Sequence, residues 1–478
     1  MEKLPDIKNN FAEWYQEIVY KAELVDQSPT AGCFVIRPYG YALWENIQAV
    51  LDKEIKKTGT VNASFPLLIP ESFFKKEKEH VEGFSPELAV VTHAGGKLLE
   101  EPLVVRPTSE TIIYYMFAKW IKSWRDLPLK VNQWANVVRW EMRPRAFLRT
   151  REFLWQEGHT AHQTQEEAIE MAKDMLVVYK KFVEEYLAIP AVSGVKTENE
   201  KFAGADRTFA IEGMMQDGKG LQLGTTHVLS HNFSKSFDIL YQDKNGQMQS
   251  PHCSSWGLST RLIGAIIMSH GDQKGLVFPP KIAPIQVVIV PIFRKEDEKV
   301  AVLSKVEELS NKLLSKNIRI KVDTDETKSP GAKFFAWEEK GVPLRVEIGP
   351  KDVANNQVAL ASRVIFNDGA KQKDFVSFDN CVELIEKLLE KIQDQMFISA
   401  KENMKKSWYQ IDTFADLALK IDDQSGFYQT GFCGCKDCEI KLKEIKATTR
   451  CRLPKKQHAK CFACGKESCG DVLVAKAY

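Results

Sequence analysis

Two neighbouring segments in the middle third of the chain constrain its fold more than any other feature. Arg139 and Glu141 form an Arg-x-Glu step, and after a basic loop residues 151–159 have the sequence Arg-Glu-Phe-Leu-Trp-Gln-Glu-Gly-His. Side chains alternate between the two faces of a β-strand. If 149–159 is a strand, one face carries Arg149, Arg151, Phe153, Trp155, Glu157 and His159. Such a face suits neither a core nor a plain surface, so we predict paired strands at 131–142 and 149–162 with a binding site on one side.

The residue types on this face favour a nucleotide as one ligand. A guanidinium binds phosphate through two parallel hydrogen bonds, and an aromatic ring covers a flat base. Glu157 and His159 lie farther along, where a smaller polar or cationic group fits. The alternative is a solvated face of paired charges. No Gly-x-x-x-x-Gly-Lys-Ser/Thr phosphate loop occurs in the chain, so a nucleotide would need another architecture.

Length and apolar pattern divide the chain into several domains. A chain of 478 residues predicts two to four domains, and 44% hydrophobic with 27% charged residues is typical of a soluble globular protein. Helical and strand patterns mix up to about residue 280. After the prolines at 279, 280 and 284, strands alternate with helices, which indicates a small α/β domain. The sequence has no apolar run long enough for a membrane span and no visible signal peptide, and its net charge of +2 does not favour nucleic acid as a partner of the whole surface.

Seven of the ten cysteines lie after residue 430, which favours a local metal site in a reducing compartment over a disulfide framework. Spacing alone selects two Cys-x-x-Cys pairs, Cys435 with Cys438 and Cys461 with Cys464. Four thiolates in such pairs are typical of structural zinc. Free cytosolic thiols are the alternative.

The order Arg-x-Glu, loop, Arg-x-x-x-Phe resembles motif 2 of the class II aminoacyl-tRNA synthetases. A predicted helix from Tyr39 followed by a strand containing Pro66 resembles motif 1, which forms dimers in that class. Residues 257–261, leading into an apolar helix, resemble motif 3. From about residue 10 to Tyr478, the sequence resembles the prolyl-tRNA synthetases of the archaeal and eukaryotic type. The segments that carry this resemblance are 105–110, 132–134, 153–159, 201–204 and 224–227.

This resemblance implies three domains. They are an α+β catalytic domain built on an antiparallel sheet at 1–283, an α/β anticodon-binding domain at 284–398, and a small α/β zinc-containing domain at 399–478. The implied activity is ATP-dependent attachment of L-proline to tRNA(Pro) through a prolyl-adenylate, with Mg²⁺ accompanying ATP. The implied protein is a cytoplasmic homodimer with no membrane association. Since 163–256 is short, we predict no inserted editing domain between motifs 2 and 3.

The resemblance also implies roles for single residues. Arg139 and Arg261 would be catalytic, and Arg139 would hold both the proline carboxylate and the α-phosphate. The implied proline site consists of Thr108, Glu110, Arg139, Phe153, Trp155, Glu157, His159, Phe202 and His227. The implied ATP site consists of Arg139, Glu141, Arg149, Thr150, Gln222, Thr225, Ser259 and Arg261, with Gln222 also seating Mg²⁺. From the residues alone, Glu110 could instead be the acid of a helix N-terminus begun at Thr108.

Further roles follow for the rest of the chain. Glu338, Arg345 and Lys351 match positions that read the anticodon in the family, and local patches including Lys328, Lys333, Lys340 and Lys351 would hold tRNA. The family pattern Phe-Cys-Gly-x-x-x-Cys-Glu selects Cys433, rather than Cys435, to join Cys438, Cys461 and Cys464 as zinc ligands. The last residue, Tyr478, is expected to turn back toward the active site.

Two other functions remain open at this point. A non-catalytic synthetase-like protein that binds tRNA would be expected to lose Arg139, Arg261 or Glu110, and all three are present. A class II enzyme for another amino acid is disfavoured by the set Thr108, Glu110, Phe153, Trp155 and His159. A threonine enzyme in particular would need a metal in its catalytic domain.

Overall fold

The computed structural model describes residues 3–76 and 88–478. The N-terminal part packs helices against short strands. Its elements are α1 (Phe11–Lys21), β1 (Val25–Gln27), β2 (Phe34–Ile36), α2 (Pro38–Lys56), β3 (Val61–Asn62), β4 (Leu68–Pro70), α3 (Glu71–Lys76), β5 (Ala89–Ala94), β6 (Lys97–Val105) and α4 (Glu110–Trp120). Strands β4, β6 and β5 form a separate three-stranded sheet.

A large antiparallel sheet follows and carries the site. Its elements are β7 (Leu129–Val138), β8 (Glu152–His162), α5 (Gln165–Tyr186), β9 (Ala191–Val195), β10 (Arg207–Met214), β11 (Gly220–Ser230), α6 (Asn232–Ser236), β12 (Tyr241–Gln242), β13 (Met248–Gln249), β14 (His252–Ser259) and α7 (Arg261–His270). The central strands lie in the order β9-β10-β11-β14-β8-β7, each antiparallel to its neighbour. The predicted α+β catalytic fold on an antiparallel sheet is confirmed.

Helix α5 shows why one face of this sheet is closed. Thr164 Oγ1 accepts from the backbone nitrogen of Glu167, and the Glu167 carboxylate accepts from the backbone nitrogen of Thr164, which completes a capping box. Residues at helical spacing, including Met175, Tyr179 and Phe182, are then buried against the sheet. Each large apolar side chain buried in this way contributes roughly 1.5–3 kcal/mol. The other face of the sheet is left for the site.

The predicted strand pair is present but shorter than expected. Strand β7 ends at Val138 and β8 begins at Glu152, so Arg139, Glu141, Arg149 and Arg151 lie beyond the ladder. The intervening loop turns into the core, because Ala146, Phe147 and Leu148 are buried and Tyr15 donates its hydroxyl to Ala146 O at 2.7 Å. The prediction that Arg149 and Arg151 share a strand face with Phe153 was therefore wrong.

Residues 287–406 form the α/β unit that the sequence predicts. Its elements are β15 (Val287–Pro291), α8 (Glu296–Ser315), β16 (Ile320–Val322), α9 (Pro330–Glu339), β17 (Leu344–Ile348), α10 (Pro350–Ala354), β18 (Gln357–Ser362), β19 (Lys373–Ser377) and α11 (Cys381–Lys406). The sheet order is β16-β15-β17-β18-β19, with β15 parallel to both β16 and β17. All five residues of β15 are buried, as expected for a parallel strand covered on both faces.

The C-terminal part extends the catalytic sheet. Its elements are β20 (Trp408–Gln410), α12 (Phe414–Lys420), β21 (Phe427–Phe432), α13 (Lys436–Ile440), β22 (Ala447–Arg452) and β23 (Gly470–Lys476). These strands continue the large sheet in the order β20-β21-β23-β22-β9, where Arg452 of β22 pairs with Val195 of β9. Helix α11 also runs through the predicted boundary at 398/399. The domain bounds 1–283, 284–398 and 399–478 stay predictions.

No helix in the described ranges is both long and apolar enough to cross a bilayer.

Candidate active site

A cavity of about 290 Å³ opens on the uncovered face of the catalytic sheet. Every predicted proline-site residue lines it: Thr108, Glu110, Arg139, Phe153, Trp155, Glu157, His159, Phe202 and His227. Arg139 also belongs to the predicted ATP site, and four further residues of that site line the cavity: Gln222, Thr225, Ser259 and Arg261. The alternation predicted for β8 therefore holds from Phe153 to His159. Most of these side chains come from strands that hydrogen bonds fix relative to one another, so their spacing is set by the sheet.

Arg139 is the first residue after β7, and its side chain extends over the start of β8. Its Nε donates to the Pro107 carbonyl oxygen at 3.0 Å. Its guanidinium carbon lies 5.4 Å from the ring centroid of Phe153 and 5.5 Å from that of Trp155, and these two rings meet edge to face at 6.1 Å. Contacts of this kind favour the cation and fix its plane. Arg139 is thus held beside the aromatic walls of the cavity.

Glu157 and His159 form a buried pair at the floor of the cavity. His159 Nε2 lies 3.0 Å from Glu157 Oε2, and Gln133 Nε2 donates to Glu157 Oε1 at 2.6 Å. Burial alone would raise the pKa of Glu157, but the His159 and Gln133 donors outweigh it and leave that pKa lowered. Burial likewise opposes the charge on His159, yet the bond to Glu157 and the nearby Glu110 carboxylate raise its pKa. The contact between the two side chains therefore favours the charged form of each, against the effect of burial.

Three residues that line the cavity have a buried polar side-chain atom without a hydrogen-bond partner among the described residues: Trp155 Nε1, His159 Nδ1 and Ser255 Oγ. An unsatisfied buried polar atom lowers the stability of the fold, so this wall of the cavity carries a local cost in stability.

His227 occupies the opposite wall and stays neutral. Its Nδ1 lies 2.9 Å from Thr208 Oγ1, and its ring centroid is 4.7 Å from that of Phe202. Burial, and then the charge on His159, lower the pKa of His227 to about 3. This side of the cavity therefore offers apolar and neutral surface, whereas Glu110, Glu157 and His159 carry the charged surface.

Thr108 and Glu110 face the cavity at the start of α4. The Thr108 hydroxyl donates to the Glu110 carboxylate, and both side chains are buried. Glu110 does lie in the first turn of the helix, as the sequence suggested, but Ser109 at the N-cap makes no capping bond with its side chain. Ser109 instead accepts from Gln133 Nε2 at 2.8 Å. The Thr108–Glu110 pair is thus available to a ligand.

Arg261, the first residue of α7, marks the other end of the cavity. Burial, followed by the charges of Arg149, Arg139 and Arg450, lowers its pKa to about 10, so it remains charged at neutral pH. Several cations close enough to repel one another are stabilised by an anion between them. This end of the cavity therefore suits a polyphosphate.

Three predicted ATP-site residues lie off the lining of the cavity. Glu141 accepts from the Arg143 backbone nitrogen at 2.9 Å, and Thr150 donates to Glu152 O at 2.6 Å. Arg149 contributes to the field at Arg261 without lining the cavity. Arg151 donates to the carbonyl oxygens of Ala31, at 2.7 Å, and Glu141, at 3.2 Å. Arg151 thus connects the loop between β7 and β8 to the N-terminal part.

Several lining residues were missed by the sequence prediction: Glu200, Thr208, Leu223, Gly224, Ser255, Trp256, Gly257 and Leu258. Ser255 had a usable signal, since it alternates with Gly257 and Ser259 along β14. Thr208 and Glu200 had none, because nothing local shows that their strand and loop fold over this site.

The chain end approaches the cavity as expected. Tyr478 N donates to Gly220 O at 3.2 Å, and its hydroxyl donates to Asp217 Oδ2 at 2.5 Å. Gly220 lies on β11, two residues before Gln222 of the cavity lining.

The C-terminal part brings four cysteines together. The sulfur atoms of Cys433, Cys438, Cys461 and Cys464 all lie within 4.8 Å of one another, and Cys433 Sγ is 3.7 Å from Cys438 Sγ and 3.8 Å from Cys464 Sγ. A tetrahedral zinc with bonds of about 2.3 Å separates its sulfurs by about 3.8 Å, so the four thiols fit the ion. Cys435 is exposed and outside the group because Gly434, at φ +85°, turns the chain between them. The pairing chosen from spacing alone was wrong.

The predicted anticodon residues lie on neighbouring elements of the α/β unit. Arg345 Nε is 3.1 Å from Glu347 Oε1, its Nη1 is 3.4 Å from Glu338 Oε1, and its guanidinium stacks on Phe334 at 4.0 Å. Lys351 is exposed on α10. Lys333 was predicted as a surface cation, but it is buried and its Nζ donates to Asp323 O at 3.1 Å.

Three protein-family models match the chain in order. They describe the class II tRNA synthetase core domain (G, H, P, S and T) at residues 96–270, an anticodon-binding domain at 286–388, and a prolyl-tRNA synthetase C-terminal domain at 415–478. The matches follow the three regions described above.

Whole-chain relatives agree with the models. The chain is 50% identical over 482 residues to a proline–tRNA ligase of Alkaliphilus oremlandii and 48% identical over 482 residues to proline–tRNA ligase 2 of Clostridioides difficile, covering 100% of this chain and 98% of each relative. The crystal structure of prolyl-tRNA synthetase from Cryptosporidium parvum, complexed with halofuginone and AMPPNP, superposes with a TM-score of 0.93 at 40% identity and covers 100% of this chain and 99% of that one. The cavity has one cationic end and one mixed aromatic and acidic end, and the three family models match in order. Together with an identity near one half along the full length, this shows that the chain belongs to the prolyl-tRNA synthetase family.

Proposed function

We propose that the chain attaches L-proline to tRNA(Pro) in two ATP-dependent steps, through a prolyl-adenylate. The observation that carries the proposal is the position of Arg139, between the aromatic and acidic end of the cavity and the end that holds Arg261. One guanidinium there can pair with a carboxylate and an α-phosphate together, which brings the two reacting groups side by side.

Proline suits the aromatic and acidic end. Its ring is small and apolar, and its secondary amine is cationic. Phe153, Trp155 and Phe202 would contact the ring, while Thr108 and Glu110 would accept from the amine. The buried Glu157–His159 pair also lines this end of the cavity. An amino acid with a larger side chain would meet these walls.

ATP suits the cationic end. The proline carboxylate would attack the α-phosphorus in line, the bond to the β-phosphate would break and pyrophosphate would leave, while Arg139 and Arg261 would stabilise the charge that develops on the phosphate oxygens. The amino acid supplies the nucleophile, so no nucleophilic side chain is needed. The tRNA 3′ hydroxyl would then attack the adenylate carbonyl and release AMP. Gln222, Thr225 and Ser259 line the cavity near enough to orient the nucleotide.

Gln222 offers an amide oxygen to Mg²⁺, which would shield the phosphate charge when bound. The nearby Glu212 is not free to join it, because Lys196 Nζ lies 2.9 Å from Oε1 and Arg450 Nη2 lies 2.6 Å from Oε2. The residues present therefore fit an ion held largely by phosphates and water, the usual arrangement for this metal. At the Cys433, Cys438, Cys461 and Cys464 site, four thiolates would fill a zinc ion's coordination shell and give it a structural role.

The same proposal includes the other partners. Arg345, Glu338 and Lys351 would read the anticodon, with Arg345 suited to a guanine edge. The chain would act as a homodimer of the archaeal and eukaryotic type. Grouped cysteines without a disulfide among the described residues fit a reducing compartment such as the cytoplasm.

The proposal also includes the lack of editing in cis. Residues 163–256 form α5, β9–β13, α6 and most of β14, and nearly all of them build the catalytic sheet or pack on it. Ala-tRNA(Pro) offered to the purified protein is therefore expected to decay no faster than it does in buffer. Rapid enzymatic hydrolysis would contradict this part.

The function is tested by aminoacylation of transcribed tRNA(Pro) with labelled proline, ATP and Mg²⁺. Prolyl-tRNA should form with the wild-type chain, and Arg345→Ala should raise the KM for tRNA while leaving tRNA-independent adenylate formation unchanged. A wild-type chain that binds tRNA(Pro) but never charges it would support the non-catalytic alternative.

A further inference from the structure

Two buried polar networks connect the C-terminal part to one wall of the cavity. Residues 196–206 connect β9 to β10, and we name this segment the cavity loop. It carries Glu200 and Phe202, which line the cavity. The loop leaves β9 at the point where Arg452 of β22 pairs with Val195, so the C-terminal strands meet the catalytic sheet at the root of this loop.

The first network centres on Glu439, a buried residue directly after Cys438 in α13. The Thr197 hydroxyl donates to Glu439 Oε1 at 2.6 Å, and Asn199 Nδ2 donates to Oε2 at 2.5 Å. The hydroxyl of Thr449, on β22, also donates to Oε1. A single carboxyl group of the C-terminal part therefore accepts two bonds from the cavity loop.

The second network lies beside the first and uses the adjacent residues. Lys196 Nζ donates to Glu212 Oε1 at 2.9 Å, and Arg450 Nη2 and Nε donate to Oε2 at 2.6 and 3.0 Å. Lys196 precedes Thr197, and Arg450 follows Thr449. The two networks are therefore linked through neighbouring residues on each side. Breaking one member leaves buried polar groups without partners, which is costly.

The cavity loop transmits this anchoring to the lining. The Thr197 carbonyl oxygen accepts from Glu200 N at 3.2 Å and from Lys201 N at 3.0 Å. Phe202 N donates to Thr208 Oγ1 at 2.9 Å, and Thr208 Oγ1 lies 2.9 Å from His227 Nδ1. A displacement of Thr197 would therefore move the turn that holds Phe202 against the His227 wall. The second network leads instead toward the nucleotide end, because Glu212 pairs with Gln222 across β10 and β11 and the charges of Arg450 and Glu212 act on Arg261.

We infer that Glu439 is a positioning residue for the amino-acid end of the active site. It holds the cavity loop through Thr197 and Asn199, so that the four-cysteine site, one residue away, supports the amino-acid pocket at a distance. The inference rests on the proposed function for the identity of the amino acid, but the anchoring of the loop does not depend on it.

Steady-state ATP–pyrophosphate exchange tests the inference with Thr197→Val and Glu439→Gln. Thr197→Val keeps the size of the side chain and removes the hydroxyl. Losing a hydrogen bond to a charged group should raise the KM for proline on the order of tenfold, while the KM for ATP changes by less than about twofold. Thr197→Ser, which keeps the hydroxyl, should recover most of the wild-type KM. Asp422→Asn is the matched control, because it removes an exposed charge that pairs with Lys476 in the same C-terminal part.

Limited trypsin digestion supplies a readout that does not depend on activity. Lys201 lies in the cavity loop and its side chain is 28% exposed, so cleavage there should be several times faster in Thr197→Val and Glu439→Gln than in wild type or Asp422→Asn. Equal rises in both KM values, or unchanged cleavage at Lys201 with an unchanged KM for proline, would overturn the inference. Faster cleavage at Lys201 in a protein whose wild type shows no proline-dependent exchange would uphold the anchoring and reject the proposed function instead.

Discussion

Two histidines in one cavity have pKa values shifted in opposite directions because of what each contacts. His159 lies 3.0 Å from the Glu157 carboxylate, which raises its pKa despite complete burial. His227 lies beside the Thr208 hydroxyl and the Phe202 ring, and burial, followed by the charge on His159, lowers its pKa to about 3. The carboxylates of Glu157 and Glu110 beside His159 thus distinguish the two histidines.

This pair makes stability depend on pH in a defined direction. A raised pKa in the folded state means that His159 stabilises the fold fully below about pH 6.5, and that this contribution is lost as pH rises through the raised value. Glu157, with a lowered pKa, contributes above about pH 4.5 and loses its contribution as pH falls through the lowered value. His159→Gln should therefore lower the melting temperature most between pH 5 and 6.5 and progressively less at alkaline pH, as measured by calorimetry across pH. A difference from wild type that grew with rising pH would contradict this account.

Arg139 is the residue whose shape should matter as well as its charge. Arg139→Ala should reduce kcat/KM for proline-dependent exchange by about 10²-fold to 10³-fold, because one preorganised cation at the reacting phosphate is lost. Arg139→Lys should recover only part of the rate, since an ammonium cannot make two parallel bonds. Arg294→Ala, at an exposed position outside the catalytic sheet, is the control. Full activity in Arg139→Ala would contradict the assigned role.

At this scale, the sequence indicated the residues that alternate along one strand. Phe153, Trp155, Glu157 and His159 were found by periodicity, because β8 is regular over its length. Thr208 was missed, since its position depends on how β10 pairs with its neighbouring strands. Arg151 could not be assigned because its contacts at Ala31 and Gly32 lie more than a hundred residues away in the chain.

At the scale of elements, strand ends and turns decide what each side chain reaches. Strand β7 stops at Val138 because Ala146, Phe147 and Leu148 are drawn into the core, and this frees Arg139 to cross toward Trp155. In the sequence, the charged residues of this loop gave no indication that the three apolar residues would be buried. The N-terminus of α5, by contrast, follows from its local Thr164 and Glu167 capping pattern.

The turn at Gly434 yields a prediction about metal content. Cys433 is the first residue after β21 and faces Cys438, whereas Cys435 is the N-cap of α13 and is exposed. Atomic emission should find one zinc per chain in wild type and in Cys435→Ser. Cys438→Ser should lose the zinc and lower the melting temperature of the protein, because metal binding stabilises the folded state. Zinc lost from Cys435→Ser but retained by Cys438→Ser would contradict the ligand set.

At the scale of the whole molecule, the C-terminal part joins the catalytic domain through its sheet. Strands β20–β23 extend that sheet beyond β9, and the chain end at Tyr478 returns to Gly220. The sequence indicated a separate small domain because its cysteines and lysines contrast with the preceding α/β unit. Pairing between strands about 250 residues apart, such as Arg452 with Val195, leaves no local signal.

The opposite edge of the same sheet predicts the homodimer. Strand β3 is the last strand there, and apolar side chains beside it are exposed: Val61 at 59%, Leu67 at 40% and Leu68 at 41%. An open edge with apolar neighbours is commonly covered by another chain. Sedimentation should give twice the 54.4 kDa of one chain, and Leu67→Asp should shift the protein toward monomer. Leu419→Asp, at a distant residue exposed at 77%, should remain dimeric, and a wild-type monomer at micromolar concentration would contradict the prediction.

Amino-acid-dependent ATP–pyrophosphate exchange, run separately with each of the twenty amino acids, tests the central claim most directly. It isolates the adenylate step from tRNA, so it depends only on the cavity that joins Arg139 and Arg261 to the aromatic and acidic wall. The account predicts strong exchange with proline and weak or no exchange with the other nineteen. Absence of exchange with proline, or faster exchange with another amino acid, would contradict it.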